Sequence, residues 1–222
     1  MKKFLIFIFL LFASFSLQAQ DSTLSYLALG DSYTIGESVS TAERWPVQLA
    51  QELRQQGLTI KDPTIIAKTG WTTDELKNAI AESELDPPYD LVTLLIGVND
   101  QYRGYDINDY PDKFLYLLDR SISLAGNNPD NVLVLSIPDY GVTPFASEKN
   151  PPKISREIEA YNAISKKISD SLGVAYVDIT PISRNAEQDS TLLAEDGLHP
   201  SGKMYSQWIE ETLPLVLPIL KQ

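Results

Sequence analysis

The sequence contains no cysteine and a single histidine among 222 residues, and its 18 Lys and Arg are outnumbered by 30 Asp and Glu. The missing thiols exclude disulfide frameworks, thiol nucleophiles and Cys-ligated zinc, and the lone imidazole excludes metal centres built from several histidines. A formal net charge of −12, with no basic cluster to offset it, repels phosphate backbones and anionic headgroups and argues against a nucleic-acid partner. Chemistry on the chain's own side chains therefore has to run on hydroxyls, carboxylates, amides and that one histidine. The 43% hydrophobic content suits a folded chain, and the length suits one domain with a sizeable core.

Only one long hydrophobic run occurs. Lys2 and Lys3 precede an uncharged apolar stretch from Phe4 to Leu17, followed by Gln18, Ala19 and Gln20. This is the pattern of a secretory signal peptide over residues 1–20, and the run is shorter than the ~20 apolar residues of a spanning helix. Cleavage removes both lysines and no acid, leaving residues 21–222 with 16 basic against 30 acidic residues, a net charge of −14. No cysteine follows the run to carry a lipid. The expectation is a soluble exported protein, periplasmic or extracellular, that is not a lipoprotein and has no stable membrane anchor.

Five short, nearly continuous apolar runs follow: Leu24–Leu29, Thr64–Ala67, Leu91–Ile96, Val132–Ile137 and Ala175–Ile179. Continuous rather than alternating hydrophobicity marks strands buried on both faces. Helical spacing separates them. Trp45, Leu49 and Leu53 share a face with Gly57 as a stop, and Thr73 is placed to cap a helix through Leu76 and Ile80. Tyr110–Ala125 and Ser155–Leu172 are further helices, the latter closed by Gly173. A last helix should start near Ser201 and be broken or ended by Pro214 and Pro218. Alternating strand and helix predicts an α/β fold with a parallel sheet covered on both faces. The longest loops, Asp139–Lys153 and Thr180–Pro200, are where function would concentrate.

In an open parallel sheet, ligands bind beyond the carboxyl ends of the strands. Those ends carry Gly30-Asp31-Ser32, Lys68-Thr69-Gly70-Trp71, Gly97-Val98-Asn99-Asp100 and Pro138-Asp139-Tyr140, and the final loop carries Asp196-Gly197-Leu198-His199. A serine hydroxyl is a weak nucleophile without a base, and His199 is the only imidazole available to Ser32. An imidazole base needs an acceptor to fix its tautomer, which Asp196 can supply from the same loop. Donors for a developing oxyanion are at hand in the N–H groups of Ser32 and Gly70 and the amide of Asn99.

Four of these blocks, Gly30-Asp31-Ser32, Gly70, Gly97-Val98-Asn99-Asp100 and Asp196-Gly197-Leu198-His199, in this order, resemble the SGNH hydrolases, also called GDSL esterases/lipases. The resemblance spans nearly the whole chain after the signal segment; Tyr33 stands where the name-giving tetrapeptide has Leu. It implies a three-layer α/β/α sandwich with a five-stranded, flavodoxin-like parallel sheet, with Ser32 as nucleophile, His199 as base and Asp196 as its partner. It also implies Ser32, Gly70 and Asn99 as oxyanion-hole donors. No G-x-S-x-G elbow is present, against an α/β-hydrolase fold. The expected activity is carboxylic ester hydrolysis through an acyl-enzyme, with no metal or organic cofactor required. The run Leu27-Ala28-Leu29-Gly30-Asp31-Ser32 looks most like lysophospholipase/thioesterase-type members; removal of acetyl groups from glycans is the alternative. The partner is thus a small-molecule, lipid or glycan ester.

Each block alone has a plain structural explanation: a Gly-Asp-Ser turn, a turn glycine, an Asn helix cap, a surface Asp-His pair. A non-catalytic binding module on the same sheet would have no need of Ser32, Asn99, Asp196 and His199 together. Asp31 and Asp100 are read as hydrogen-bonding loop backbone to hold the site's shape. Tyr33, Trp71, Tyr102, Tyr105 and Tyr140 are candidates to stack on a sugar or line an acyl groove, or to pack loops on the sheet. The acidic stretch Asp106–Asp112 lacks the Gly and terminal Glu of an EF-hand and reads as a solvated loop and helix start.

Overall fold

Five parallel strands, β1 (Tyr26–Gly30), β2 (Thr64–Ala67), β3 (Leu91–Leu95), β4 (Val132–Leu135) and β5 (Ala175–Val177), form one sheet in the order β2-β1-β3-β4-β5. The structure, a computed structural model, describes residues 23–221; the signal peptide expected over residues 1–20 lies outside the described residues. All five expected strands are present, each starting or ending within about two residues of its apolar run. β1, β3 and β4 are buried throughout, whereas edge strand β2 is only partly covered.

Among the described residues, eight α-helices connect and flank the strands: α1 (Ser32–Ile35), α2 (Trp45–Gln55), α3 (Thr73–Glu82), α4 (Val98–Tyr102), α5 (Tyr110–Leu124), α6 (Pro151–Ser171), α7 (Thr180–Arg184) and α8 (Gly202–Leu220). α2 packs against α8, and α5 packs against both α3 and α6. This is a three-layer α/β/α sandwich. Trp45, Leu49 and Leu53 of α2 are completely buried, each worth roughly 1.5–3 kcal/mol relative to exposure.

Several helix ends differ from expectation: α6 starts at Pro151, four residues before Ser155, with prolines in its first turn, and the expected loop Thr180–Pro200 opens with α7. The cap of α3 is Thr72, whose hydroxyl accepts the Glu75 N–H while the Glu75 carboxylate returns to the Thr72 N–H. Thr73 is thereby released to bind Asp100. Helix α8, begun by the Ser201 cap, runs through Pro214 and Pro218 to Leu220. Both prolines are exposed, so water can satisfy the freed carbonyls, while Trp208, Thr212 and Val216 on the opposite face are fully buried and hold the helix in place.

The chain leaves β1 toward β2 on one side and continues through β3 to β5 on the other, so the topological switch point lies between β1 and β3. A crevice at the carboxyl ends of those two strands is the position where such sheets bind ligands.

Candidate active site

Ser32 begins α1 directly after β1. Asp31 caps this short helix by accepting the Tyr33 N–H at 3.0 Å, and as the first helical residue Ser32 has no intrahelical acceptor for its own N–H. Asp31 is completely buried, and its second oxygen has no hydrogen-bond partner among the described residues. Burial pushes its carboxyl up to about 8, opposed by the Tyr33 N–H and reinforced by the nearby Asp100 charge. Asp100 is also raised by burial, against hydrogen bonds from the Thr73 hydroxyl and N–H. Both carboxyls therefore brace backbone, as expected from the sequence.

At the end of β3, Gly97 takes φ +125°, and a Cβ there would come within 2.7 Å of the Tyr110 hydroxyl. Only glycine makes this turn, which starts α4 and carries Asn99. The Asn99 amide donates to the Trp71 carbonyl at 2.9 Å; an amide has two N–H donors, so one remains for the cavity. Beyond β2, Gly70 sits at φ +85°. Its carbonyl accepts a hydrogen bond from Arg103, which also pairs with Glu75 at 3.1 Å.

His199 and Asp196 meet at 2.6 Å through Nδ1 and Oδ2. Oδ1 accepts the backbone N–H groups of Leu198 and His199, each at 2.9 Å, and Oδ2 also accepts the Ser38 hydroxyl at 2.6 Å. Partial burial works against the Asp196 charge, but these hydrogen bonds outweigh it and hold the carboxyl well below its usual range. An ionised carboxylate can only accept, so the proton between the two sits on Nδ1 and the lone pair on Nε2.

Ser32, Gly70, Asn99 and His199 line a single cavity of about 230 Å³, together with Tyr33, Thr69, Val98, Tyr102, Tyr140, Phe145 and Leu198. Among the described residues, no hydrogen bond joins Ser32 Oγ to His199, a separation that ligand-free sites often show. Tyr33 is buried, with its ring centroid 5.8 Å from that of His199. Tyr102, Tyr140 and Phe145 form one wall, their ring centroids 6.1 to 6.4 Å apart. Beyond Tyr102 and Tyr140 opens a groove of about 500 Å³ with a lining as apolar as it is polar, where Gln101, Lys149, Lys153 and Glu157 stand among Tyr105, Ile107 and Ile154.

Trp71 takes the packing alternative. It packs against the core and is not among the residues lining the cavity; it reaches the site only through its carbonyl, which anchors Asn99. In the acidic stretch, Asp106 caps a turn over Ile107–Asp109 and α5 begins at Tyr110. Phe145, Arg103 and Ser38 were not picked out from the sequence. Phe145 lay within a flagged loop, whereas Arg103 and Ser38 carried no local signal because their partners are distant in the chain.

The family model for the GDSL-like Lipase/Acylhydrolase family matches residues 28–207. The chain belongs to this family. It is accordingly a carboxylic ester hydrolase of the GDSL type. Among curated proteins none matches its sequence. Solved structures share the fold at low identity. TesA is 18% identical with a TM-score of 0.67, covering 88% of this chain and 99% of its own. A variant of Axe2, an acetyl xylan esterase from Geobacillus stearothermophilus, is 19% identical with a TM-score of 0.67, covering 88% and 97%. The psychrotrophic esterase EstA from Pseudoalteromonas sp. is 17% identical with a TM-score of 0.64, covering 89% and 99%.

Proposed function

We propose that this GDSL hydrolase cleaves short-chain carboxylic esters through an acyl-enzyme on Ser32. The observation that carries the reading is the convergence of Ser32, Gly70, Asn99 and His199 on one cavity, with Asp196 bonded to the far nitrogen of His199. Ser32 Oγ attacks the ester carbonyl as its proton passes to His199 Nε2. The tetrahedral oxyanion takes hydrogen bonds from the N–H groups of Ser32 and Gly70 and the free amide N–H of Asn99. Collapse breaks the bond to the alcohol oxygen, which leaves with the proton from Nε2. Water then attacks the acyl carbon, gives a proton to Nε2, and the acid departs as Ser32 recovers its proton.

The acyl group is the part the cavity limits. At about 230 Å³ it is smaller than the roughly 300–1,000 Å³ of sites for drug-sized ligands. A long acyl chain would have to pass the Tyr102, Tyr140 and Phe145 wall into a groove where Lys149, Lys153 and Glu157 interrupt the apolar surface. Within the lysophospholipase/thioesterase-type resemblance, this supports short acyl esters over long ones. Glycan deacetylation is the second reading, favoured by that groove, whose mix of tyrosine rings, amide, carboxylate and ammonium groups suits a hydroxyl-rich alcohol. Turnover of p-nitrophenyl esters from acetate to palmitate, run beside an acetylated polysaccharide, tests both. The expected optimum lies at acetate to butyrate; a maximum at palmitate would overturn the short-acyl reading. Absence of acetate release from the polysaccharide would remove the second.

Export belongs to the same proposal, supported by Lys2, Lys3 and the Phe4–Leu17 run. N-terminal sequencing of the enzyme recovered from the exported fraction should begin near Gln20 or Asp21. Recovery of the uncleaved chain in membranes would refute it.

A further inference from the structure

We infer that Ser38 is a positioning residue for the catalytic pair, its hydroxyl fixing the Asp196 carboxylate that orients His199. The inference rests on the hydrolytic reading above, in which His199 is the base. Ser38 lies in the loop that leaves α1, six residues beyond Ser32, and 158 positions in sequence separate it from Asp196. It is one of three described non-glycine residues with positive φ, at +63°, a conformation few L side chains adopt. The hydroxyl presented there donates to Asp196 Oδ2 at 2.6 Å, onto the same oxygen that holds the imidazole at 2.6 Å.

The count of donors explains what the hydroxyl adds. Oδ1 is held by two backbone N–H groups of its own loop. Without Ser38, Oδ2 would be held only by the ring it is meant to orient, and carboxylate rotation is otherwise a soft torsion. Ser38 anchors that oxygen from outside the Asp196–His199 loop. The hydroxyl also shares the carboxylate's charge, so its loss concentrates that charge on the imidazole and favours the protonated, inactive base. Neighbouring Glu37 accepts the hydroxyl of Thr69, next to Gly70. One loop behind the nucleophile therefore touches both the acid–base pair and the oxyanion turn. Other titratable and charged groups near the pair are Glu37 of the same loop, Tyr33, whose ring meets His199, and Tyr205, which senses Asp196, Glu37 and Arg44. None of them donates to Asp196 in this structure.

The informative substitution is Ser38→Gly, which accepts positive φ and removes the hydroxymethyl group that donates to Asp196. With p-nitrophenyl acetate, kcat should fall about 2- to 13-fold, the range of an ordinary net hydrogen bond, because this contact is exposed and water can partly replace the hydroxyl, with KM changed less than twofold. The acidic limb of the kcat profile should move to higher pH. Because the chain has one histidine, its ring protons can be followed by NMR without assignment, and their titration midpoint should lie above that of wild type. Ser38→Asn, which tolerates the left-handed region and restores a donor, should recover part of both effects. Wild-type rate and midpoint in Ser38→Gly would overturn the inference, as would a slower enzyme with unmoved midpoint and limb, which marks a merely structural role. The NMR readout needs no turnover, so inactivity of the wild-type protein toward esters would refute the hydrolytic reading while leaving the Ser38–Asp196–His199 linkage separately measured.

Discussion

Asp196 holds His199 twice: one carboxylate oxygen takes the imidazole Nδ1 at 2.6 Å, and the other takes the same residue's backbone N–H at 2.9 Å. Ring and backbone are locked to one carboxylate, so the imidazole is oriented by a three-residue turn rather than by a distant acid.

This geometry ranks the expected losses. Ser32→Ala and His199→Ala should each reduce kcat by about 10⁶, as for other serine hydrolases. Asp196→Asn should cost less, about 10⁴, because the imidazole remains and one amide oxygen can still accept. Steady-state kinetics on a short ester, with circular dichroism to verify folding, makes the comparison. A wild-type rate in either of the first two variants would remove Ser32 and His199 from the reaction.

The oxyanion donors have separate supports. Asn99→Ala should lower kcat by about 10²–10³ with little change in KM. Arg103→Ala leaves every proposed donor in place but frees the Gly70 carbonyl, so a smaller kcat loss, roughly tenfold, is expected. Equal kcat in Arg103→Ala and wild type would show that the Gly70 turn holds its shape unaided.

The aromatic wall should set acyl length. Replacing Phe145 or Tyr102 by Ala opens the small cavity toward the adjoining groove, and the preferred p-nitrophenyl ester should lengthen by at least two carbons. An unchanged chain-length profile in both variants would place the acyl group elsewhere.

Stability should depend on pH through Asp31. Its carboxyl stands at about 8 in the fold against 3.8 as the unperturbed value. Across that interval the native state keeps a proton that the unfolded chain releases, so stability falls as pH rises from about 4 to about 8. Asp196, held below its ordinary value, acts oppositely: its contribution is present above pH 3.8 and fades as pH falls. Thermal midpoints should therefore decline from pH 5 to pH 8, and Asp31→Asn should flatten that decline. A slope unaltered by the substitution would clear Asp31 of the effect.

Much of this molecule was legible before any folding was considered. Runs such as Val132–Ile137 are apolar on both faces, which forces a central parallel strand, and Ser32, Asn99 and His199 are chemically conspicuous at the ends of such runs or before the last helix. Apolar patterning reports burial, and burial is what defines strands and helix faces. It does not report which ends meet. The sheet order, with its switch point between β1 and β3, brings Ser32 to Asn99, and packing of the final loop brings His199 to both. At the same tertiary level Trp71 is half-buried against the core while its carbonyl serves Asn99. That level also let α8 continue through Pro214 and Pro218, because the opposite face was already buried against α2 and the sheet. Ser38 and Arg103 belong wholly to that level: a hydroxyl and a guanidinium gain their roles only from acceptors that long-range packing sets beside them, so no local pattern in the chain announces them.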